Sequence, residues 1–320
     1  MPRLLACLLL VLLTLAGGGV LAEDDPPSLT LIVPWEVGGG SDATARIIAS
    51  LLTRELGRSV TVRNRTEGQG VAGHEAIAKA APDGNTIGMV TTELNMMHWT
   101  GDTELNYRDV TPLALMNRDP AAIFVRGDSR IDDIRELRLA VIGKAGKLTA
   151  SGTRRGGIWH LALAGFLRAL NIPTEAIEWR GMAGSAPAFQ ALMDNEIDFV
   201  VASVPDSSAL LNAGLVRALV VMDETPNPGY PDIPTLKEAL GIDWQAAAWR
   251  GIAAPPGLPR ERIERLSYAL AAVYQSDEYI DFMAQRGFGR AWAGPGAFDD
   301  FLADNNAALG EALRSLGLAN

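Results

Sequence analysis

Three glycine-rich loops each separate a short apolar segment from a helical segment, and this recurring unit constrains the fold of the 320-residue chain more than any other feature. The first loop is Gly38-Gly39-Gly40, the second runs from Ser151 to Gly157, and the third runs from Gly181 to Ser185. A short run of β-forming residues that ends in such a loop is typical of a buried strand. Because helices follow the loops, the alternation predicts an α/β fold with parallel strands.

The first of these units presents backbone amides that are suited to an anion. Its helix begins near Ala43, and Ser41 and Asp42 are candidate N-caps. Glycine lets a ligand approach the chain, and a helix start leaves about four unpaired amides with roughly half a positive charge. The loop is therefore a candidate anion site, with a purely structural turn as the alternative. Asp42 and Arg46 have the i, i+4 spacing of a helix-surface ion pair.

The rest of the chain continues the alternation of strands and helices. We expect strands at 29–34, 59–64, 86–91, 147–150, 178–180, 197–202 and 216–222. We expect further helices at 71–80, 131–142, 158–170, 186–193, 207–213, 260–275, 277–286 and 297–316. Segment 113–125 would carry the chain into a second lobe, and the proline-rich segment 223–234 would bring it back. The second lobe is thus predicted to be inserted into the first, with a hinge of two crossings.

The N-terminus has the pattern of an export signal. Arg3 precedes an apolar run and then small residues up to Ala22, after which we expect cleavage. Cys7 is the only cysteine of the chain, so cleavage would remove it and exclude disulfides, thiol catalysis and thiolate metal sites from the mature protein. No later run of about 18 apolar residues occurs, which predicts a soluble mature protein. The net charge of −10 disfavours a nucleic-acid partner.

Enzyme and cofactor patterns are weak. Gly68-x-Gly70-x-x-Gly73 matches a dinucleotide fingerprint, but the acidic residue expected about 20 residues later is absent, and export disfavours a nicotinamide cofactor. The three histidines, His74, His98 and His160, lack the spacing of metal ligands. His98 and His160 lie at candidate ligand loops, where neutral hydrogen bonding and a structural role are both open. We therefore expect no cofactor, no metal and no catalytic residue.

Charged and aromatic side chains near the loops could contact a ligand. Arg154 and Arg155 carry planar donor groups that match carboxylates, although arginine pairs also occur on solvated loop tips. Trp99, Trp159 and Trp249 are candidates either for the walls of a cleft or for the core.

In these residues the chain resembles the extracytoplasmic solute receptors of tripartite tricarboxylate transporters, the TctC or Bug family. The resemblance runs from about residue 29 to residue 318. The motifs that carry it, in the family's order, are VPWEVGGGSDATAR, NRTEGQGVAGHEAIAKAAPDG, ELNMMHW, KLTASGTRRGGIWHLALAG, DIPTLKEALGIDW and WRGIAAPPGLP.

The resemblance implies a two-lobed, type II periplasmic-binding-protein fold, in which each lobe is a mixed sheet flanked by helices. On this fold, residues 1–22 are the cleaved signal peptide and 23–125 the N-terminal part of the first lobe. Residues 126–222 are the inserted second lobe, and 223–320 are the return crossover and the completion of the first lobe.

The same resemblance implies a periplasmic receptor without catalytic activity. Such a receptor clamps a small organic carboxylate, a tricarboxylate, dicarboxylate or related acid, between its lobes. It then delivers the solute to a large and a small integral-membrane subunit. We expect a monomer.

The resemblance implies site residues at the positions that match the family's motifs. Some of their contacts with the ligand would run through water molecules. The site residues are Val37, Gly38, Gly39, Gly40, Ser41, Asp42, Glu93, Asn95, Ser151, Gly152, Thr153, Arg154, Arg155, Gly156, Gly157, His160, Gly184, Ser185, Ser203 and Asp206.

This chain departs from the family pattern at three positions. Glu36 stands where many members have proline or a small residue, and Arg154 and Arg155 stand where small or neutral residues are usual. We expect Gly38 to Ser41 to hold any carboxylate and these three side chains to choose among carboxylates. Two other functions stay open: a solute sensor that docks to a signalling partner, and a secreted enzyme acting on small carboxylates.

Overall fold

The structure, a computed structural model, describes residues 28–143 and 146–320. The predicted export signal, with Cys7, lies outside the described residues. Within the described part, no helix has the length and apolar character needed to cross a bilayer.

The strands of the described chain form one continuous ten-stranded sheet. They are β1 Leu29–Val33, β2 Val60–Asn64, β3 Thr86–Thr91, β4 Thr111–Arg126, β5 Leu148–Ser151, β6 Ile177–Trp179, β7 Phe199–Ser203, β8 Val216–Val221, β9 Ala247–Ala254 and β10 Arg290–Ala293. Their order is β2-β1-β3-β9-β4-β7-β5-β6, and β8 and β10 also pair with β4.

Helices pack on the faces of this sheet. They are α1 Gly40–Leu56, α2 Val71–Ala78, α3 Ile134–Gly143, α4 Ile158–Ala169, α5 Ser185–Met193, α6 Val204–Asn212, α7 Leu236–Leu240, α8 Arg260–Gln275, α9 Asp277–Arg286 and α10 Pro295–Ser315. The predicted strands and helices all occur, and their ends agree with the prediction or differ from it by a few residues.

Each half of the sheet contains a parallel part, as the strand and helix alternation predicts, whereas β4 pairs antiparallel with β7, β8 and β10. Strand β1 pairs in parallel with β2 and β3, and β5 pairs in parallel with β6 and β7. Strand β9 lies antiparallel between β3 and β4, which makes the sheet mixed. The sequence analysis missed β9, because its alanines, glycine and arginine have low strand propensity.

The long strand β4 belongs to both halves of the sheet. Its residues Thr111 to Pro120 pair with β9, and Ala122 to Arg126 pair with β8. Strand β7 joins the same second part of β4. The chain thus passes from one half to the other within a single strand, while the lobe limits given above stay a prediction.

Helix α10 touches the cores of both halves. Its buried Phe298 and Leu302 pack in one hydrophobic cluster with Trp249, whereas Leu309 and Leu313 belong to the cluster that contains α4. The last helix therefore does more than complete the first lobe.

Candidate functional site

A cavity of about 530 Å³ lies where the carboxyl ends of strands from both halves of the sheet meet. Ends of β1 and β3 supply the segment 35–41 with Thr91 and Glu93. The opposite wall comes from Thr153 and from the starts of α4, α5 and α6. Ligands of open α/β sheets bind outside the carboxyl ends of the strands, so this cavity is the candidate site.

Four helices start at this cavity without a side-chain cap. Their N-caps, Gly39 of α1, Gly157 of α4, Gly184 of α5 and Ser203 of α6, make no side-chain capping bond. The hydroxyl of Ser203 is buried and has no partner in the described part of the chain, although serine is a favoured cap. Uncapped amides and the helix dipoles both favour an anion here.

The three glycines of the first loop serve different purposes. Gly38 has a φ of 88°, in the left-handed region, and its amide donates to Asp42 Oδ2 at 2.9 Å. A Cβ on Gly40 would lie 2.8 Å from Arg250 Nη2 and 3.2 Å from Asp206 Oδ1. On Gly39 the nearest atom would be the Glu36 carbonyl oxygen at 3.6 Å. Gly40 is therefore closely packed against Arg250, whereas a Cβ on Gly39 would make only an ordinary van der Waals contact.

Asp42 holds the first loop in shape and does not line the cavity. It is buried, and its carboxylate accepts hydrogen bonds from Arg46 and from Asn64, in addition to Gly38. The predicted Asp42–Arg46 ion pair is confirmed, at 2.9 Å. Burial opposes ionisation, but the hydrogen bonds outweigh it, so the pKa of Asp42 lies below its usual value. Because Asp42 occupies the Gly38 amide, the first-turn amides of α1 are the donors left for a ligand.

A hydrogen-bonded chain at the end of β3 fixes one wall of the cavity. The Thr91 hydroxyl donates to Glu93 Oε2 at 2.6 Å and accepts from Trp35 Nε1 at 3.2 Å. The Thr91 amide donates to His74 Nε2 at 3.2 Å, while His74 Nδ1 lies 2.8 Å from the Gly70 carbonyl oxygen. Burial lowers the pKa of His74 to about 4. His74 is therefore neutral near pH 7, with its proton on Nδ1.

Arg250 of β9 is a buried cation at the floor of the cavity, which the sequence analysis missed. Its Nε donates to Ser41 Oγ at 3.0 Å, and its Nη1 donates to Asn117 and forms an ion pair with Asp119. The Phe288 ring lies 5.5 Å from its guanidinium carbon. Burial raises the pKa of Asp119, and the charge of Arg250 opposes that effect. A single arginine inside an otherwise apolar run was the signal available in the sequence.

Most of the second glycine-rich loop lies outside the lining of the cavity. Only Thr153 of the predicted segment Ser151 to Gly157 lines the cavity. Ser151 donates to the Arg180 carbonyl oxygen at 2.5 Å, and the Gly156 amide donates to His160 Nδ1 at 3.0 Å. Burial, with a smaller effect of Arg155, lowers the pKa of His160 to about 4.

The two adjacent arginines lie outside the cavity lining. Arg154 forms an ion pair with Asp102 at 2.6 Å, and its Nε and Nη2 are buried without a partner in the described residues. Arg155 is exposed. Glu36, in contrast, lines the cavity.

The structure brings together half of the predicted site residues. Those that line the cavity are Val37, Gly38, Gly39, Gly40, Ser41, Glu93, Thr153, Gly184, Ser185 and Asp206. Those placed outside the lining are Asp42, Asn95, Ser151, Gly152, Arg154, Arg155, Gly156, Gly157, His160 and Ser203. Asn95, for example, donates to the Leu302 carbonyl oxygen and to Asn305, and so ties the end of β3 to α10.

Aromatic side chains complete the lining. Trp159 and Trp249, two of the three candidate tryptophans, line the cavity together with Trp35. Trp99 does not, because it packs on Gly310 of α10 and under the guanidinium of Arg314. No group of three or more potential metal ligands occurs among the residues that the structure describes.

Comparison with known proteins connects this site to a family. The family model described as tripartite tricarboxylate transporter family receptor matches residues 44–318. A protein of a Pseudomonas species, the UPF0065 protein in the tcbD-tcbE intergenic region, is 31% identical over 275 residues. The alignment covers 85% of this chain and 81% of that protein.

Solved structures agree with the sequence comparison. R. palustris Rpa4515 with adipate is 25% identical and matches with a TM-score of 0.85 over 92% of this chain and 99% of that one. A TctC solute-binding protein from Polaromonas is 29% identical, with a TM-score of 0.71 over 90% of this chain and 98% of that one. The predicted resemblance and the predicted fold class are both confirmed.

Proposed function

Because the chain belongs to the receptors of the tripartite tricarboxylate transporter family, we propose that it captures a small organic carboxylate in the cavity between the two halves of its sheet. The observation that carries the proposal is the convergence of four uncapped helix starts, those of α1, α4, α5 and α6, on that cavity. A carboxylate placed there would accept hydrogen bonds from amides that have no partner within their own helices.

The donors come from both sides of the cavity. On one side are the first-turn amides of α1, at Gly40 and Ser41. On the other side are the hydroxyl of Thr153, which has no partner among the described residues, and the start of α5. A ligand that contacts both sides stabilises the arrangement in which they are close, so binding shifts an open-to-closed equilibrium.

The proposal includes the setting in which the receptor works. We infer that residues 1–22 direct export to the periplasm and are removed there. The closed receptor delivers its solute to a large and a small membrane subunit, works as a monomer and catalyses no reaction.

Mass spectrometry of small molecules released from the purified, denatured protein tests the ligand class. Adipate, the compound present with the R. palustris protein, is the first probe for thermal shift. We expect a released carboxylate, a rise in melting temperature with the compound found, and a decrease in radius of gyration by X-ray scattering when it binds. Failure of every small carboxylate to bind would contradict the carboxylate receptor, and binding without compaction would contradict closure.

A further inference from the structure

Glu93 places a buried carboxylate at the cavity wall without a cation to neutralise it. Glu93 is 4% exposed and lines the cavity. The Thr91 hydroxyl donates to its Oε2. Among the described residues, no arginine, lysine or histidine forms an ion pair with it. A buried carboxylate that lacks a counter-charge is unfavourable, so the wall lacks one positive group.

Two basic residues that contact or pair with Thr91 cannot supply that charge. His74 accepts the Thr91 amide proton on Nε2 and is neutral because burial lowers its pKa to about 4. Arg250 lies opposite Thr91 in the β3–β9 pairing, but its guanidinium is paired with the buried Asp119. The ligand is the remaining source of a cation.

The rest of the charged lining is also too acidic for a ligand that is only an anion. Glu36 and Asp206 line the cavity with Glu93, and Asp206 accepts a hydrogen bond from Ser185 at 3.0 Å. Two basic residues of the described part of the chain line the cavity. Arg250 is neutralised by Asp119, and Arg286 is exposed. A solute with carboxylates alone would meet like charges on this side.

Trp35 also lines the cavity and is hydrogen-bonded to the same threonine. Its indole nitrogen donates to the Thr91 hydroxyl that also holds Glu93, so the ring and the carboxylate are fixed to one residue. Thr91 thus holds the Glu93 carboxylate in place at the cavity wall.

We propose that the ligand carries a cationic nitrogen in addition to its carboxylate and that this nitrogen sits against Glu93. This inference rests on the proposed function and narrows its ligand class to zwitterionic amino-carboxylates. The carboxylate end would occupy the helix starts and the nitrogen end the wall formed by Trp35, Thr91 and Glu93.

Calorimetric titration with matched probes tests the inference. The probes are adipate, 2-aminoadipate, 6-aminohexanoate and hexanoate, and the shorter pair glutarate and glutamate. We expect at least one amino-carboxylate to bind about tenfold or more tightly than its partner without nitrogen, the gain of one charge-assisted contact. Glu93→Gln keeps an oxygen for the Thr91 hydroxyl, and we expect it to reduce this preference to less than about threefold.

Glu196→Gln is the matched control, because Glu196 is exposed in the loop after α5 and does not line the cavity. This variant should keep the full preference for the amino-carboxylate over its partner without nitrogen. The inference is overturned if the nitrogen-free acids bind as tightly as the amino acids, or if Glu93→Gln leaves the preference unchanged. Those results would leave the carboxylate receptor intact, whereas failure of both classes to bind would overturn the receptor itself.

Discussion

Replacing Arg250 with methionine should destabilise the protein strongly, because it removes the counter-charge of a fully buried carboxylate. Asp119 is 0% exposed, and Arg250 is its cationic partner. Methionine fills a similar volume without charge, so the lost ion pair dominates. Breaking one side of a buried pair lowers the free energy of unfolding by about 3–5 kcal/mol. Equilibrium urea unfolding followed by circular dichroism measures this change.

A neighbouring ion pair provides the control for this experiment. Arg118 pairs with Asp223 at 3.0 Å, and their side chains are 35% and 19% exposed. Arg118→Met should therefore lower the free energy of unfolding by less than about 1 kcal/mol. Adding Asp119→Asn to Arg250→Met should recover at least about half of the loss, since the buried charge is then gone. Equal losses for the two arginines, or no recovery in the double variant, would refute the reasoning.

Two further predictions concern the cavity and the pH dependence of stability. Gly40→Ala should weaken binding of the ligand released from the purified protein about tenfold, because the new Cβ would displace Arg250 Nη2. Gly39→Ala should change the affinity less than about twofold. Similar affinities of the two variants in titrations would contradict this prediction. The pKa of His160 is lowered to about 4 by burial, so the unfolded chain binds more protons below about pH 6.5, and this residue should lower the free energy of unfolding by up to roughly 3 kcal/mol between about pH 6.5 and 4, in addition to a similar fall caused by His74. His160→Asn keeps an acceptor for the Gly156 amide and should flatten that fall in urea titrations across pH, whereas parallel curves would argue against a buried neutral histidine.

The sequence predicted those parts of the fold whose signals are local. Strand β3 and helices α8 and α9 have the predicted ends, because alternation, caps and turn residues lie within each segment. Strand β9 was missed because its position between β3 and β4, and not its composition, makes it a strand. Helix α10 was predicted as a helix, but its packing on both cores depends on contacts far apart in sequence.

The same difference between local signals and contacts far apart in sequence explains which parts of the candidate site could be predicted. The loop around Gly38 to Ser41 was predicted because glycines between a strand and a helix are visible in one short segment. The loop from Ser151 to Gly157 lies between β5 and α4 as predicted, but the local pattern could not show that only Thr153 of this loop lines the cavity. Arg250 could not be assigned to the site, because it reaches Ser41 only when β9 inserts beside β3.

Strand β4 joins the two halves of the sheet without an intervening loop, so the closure proposed above would bend it. Register irregularities occur in its first part, before Asn117, and again between Ile123 and Phe124, on either side of the point where the pairing changes from β9 to β8. Pro120, which ends the pairing with β9, has no amide hydrogen, so bending there breaks no donor bond of its own. The closure proposed above would therefore bend this strand at a point where few ladder hydrogen bonds are lost.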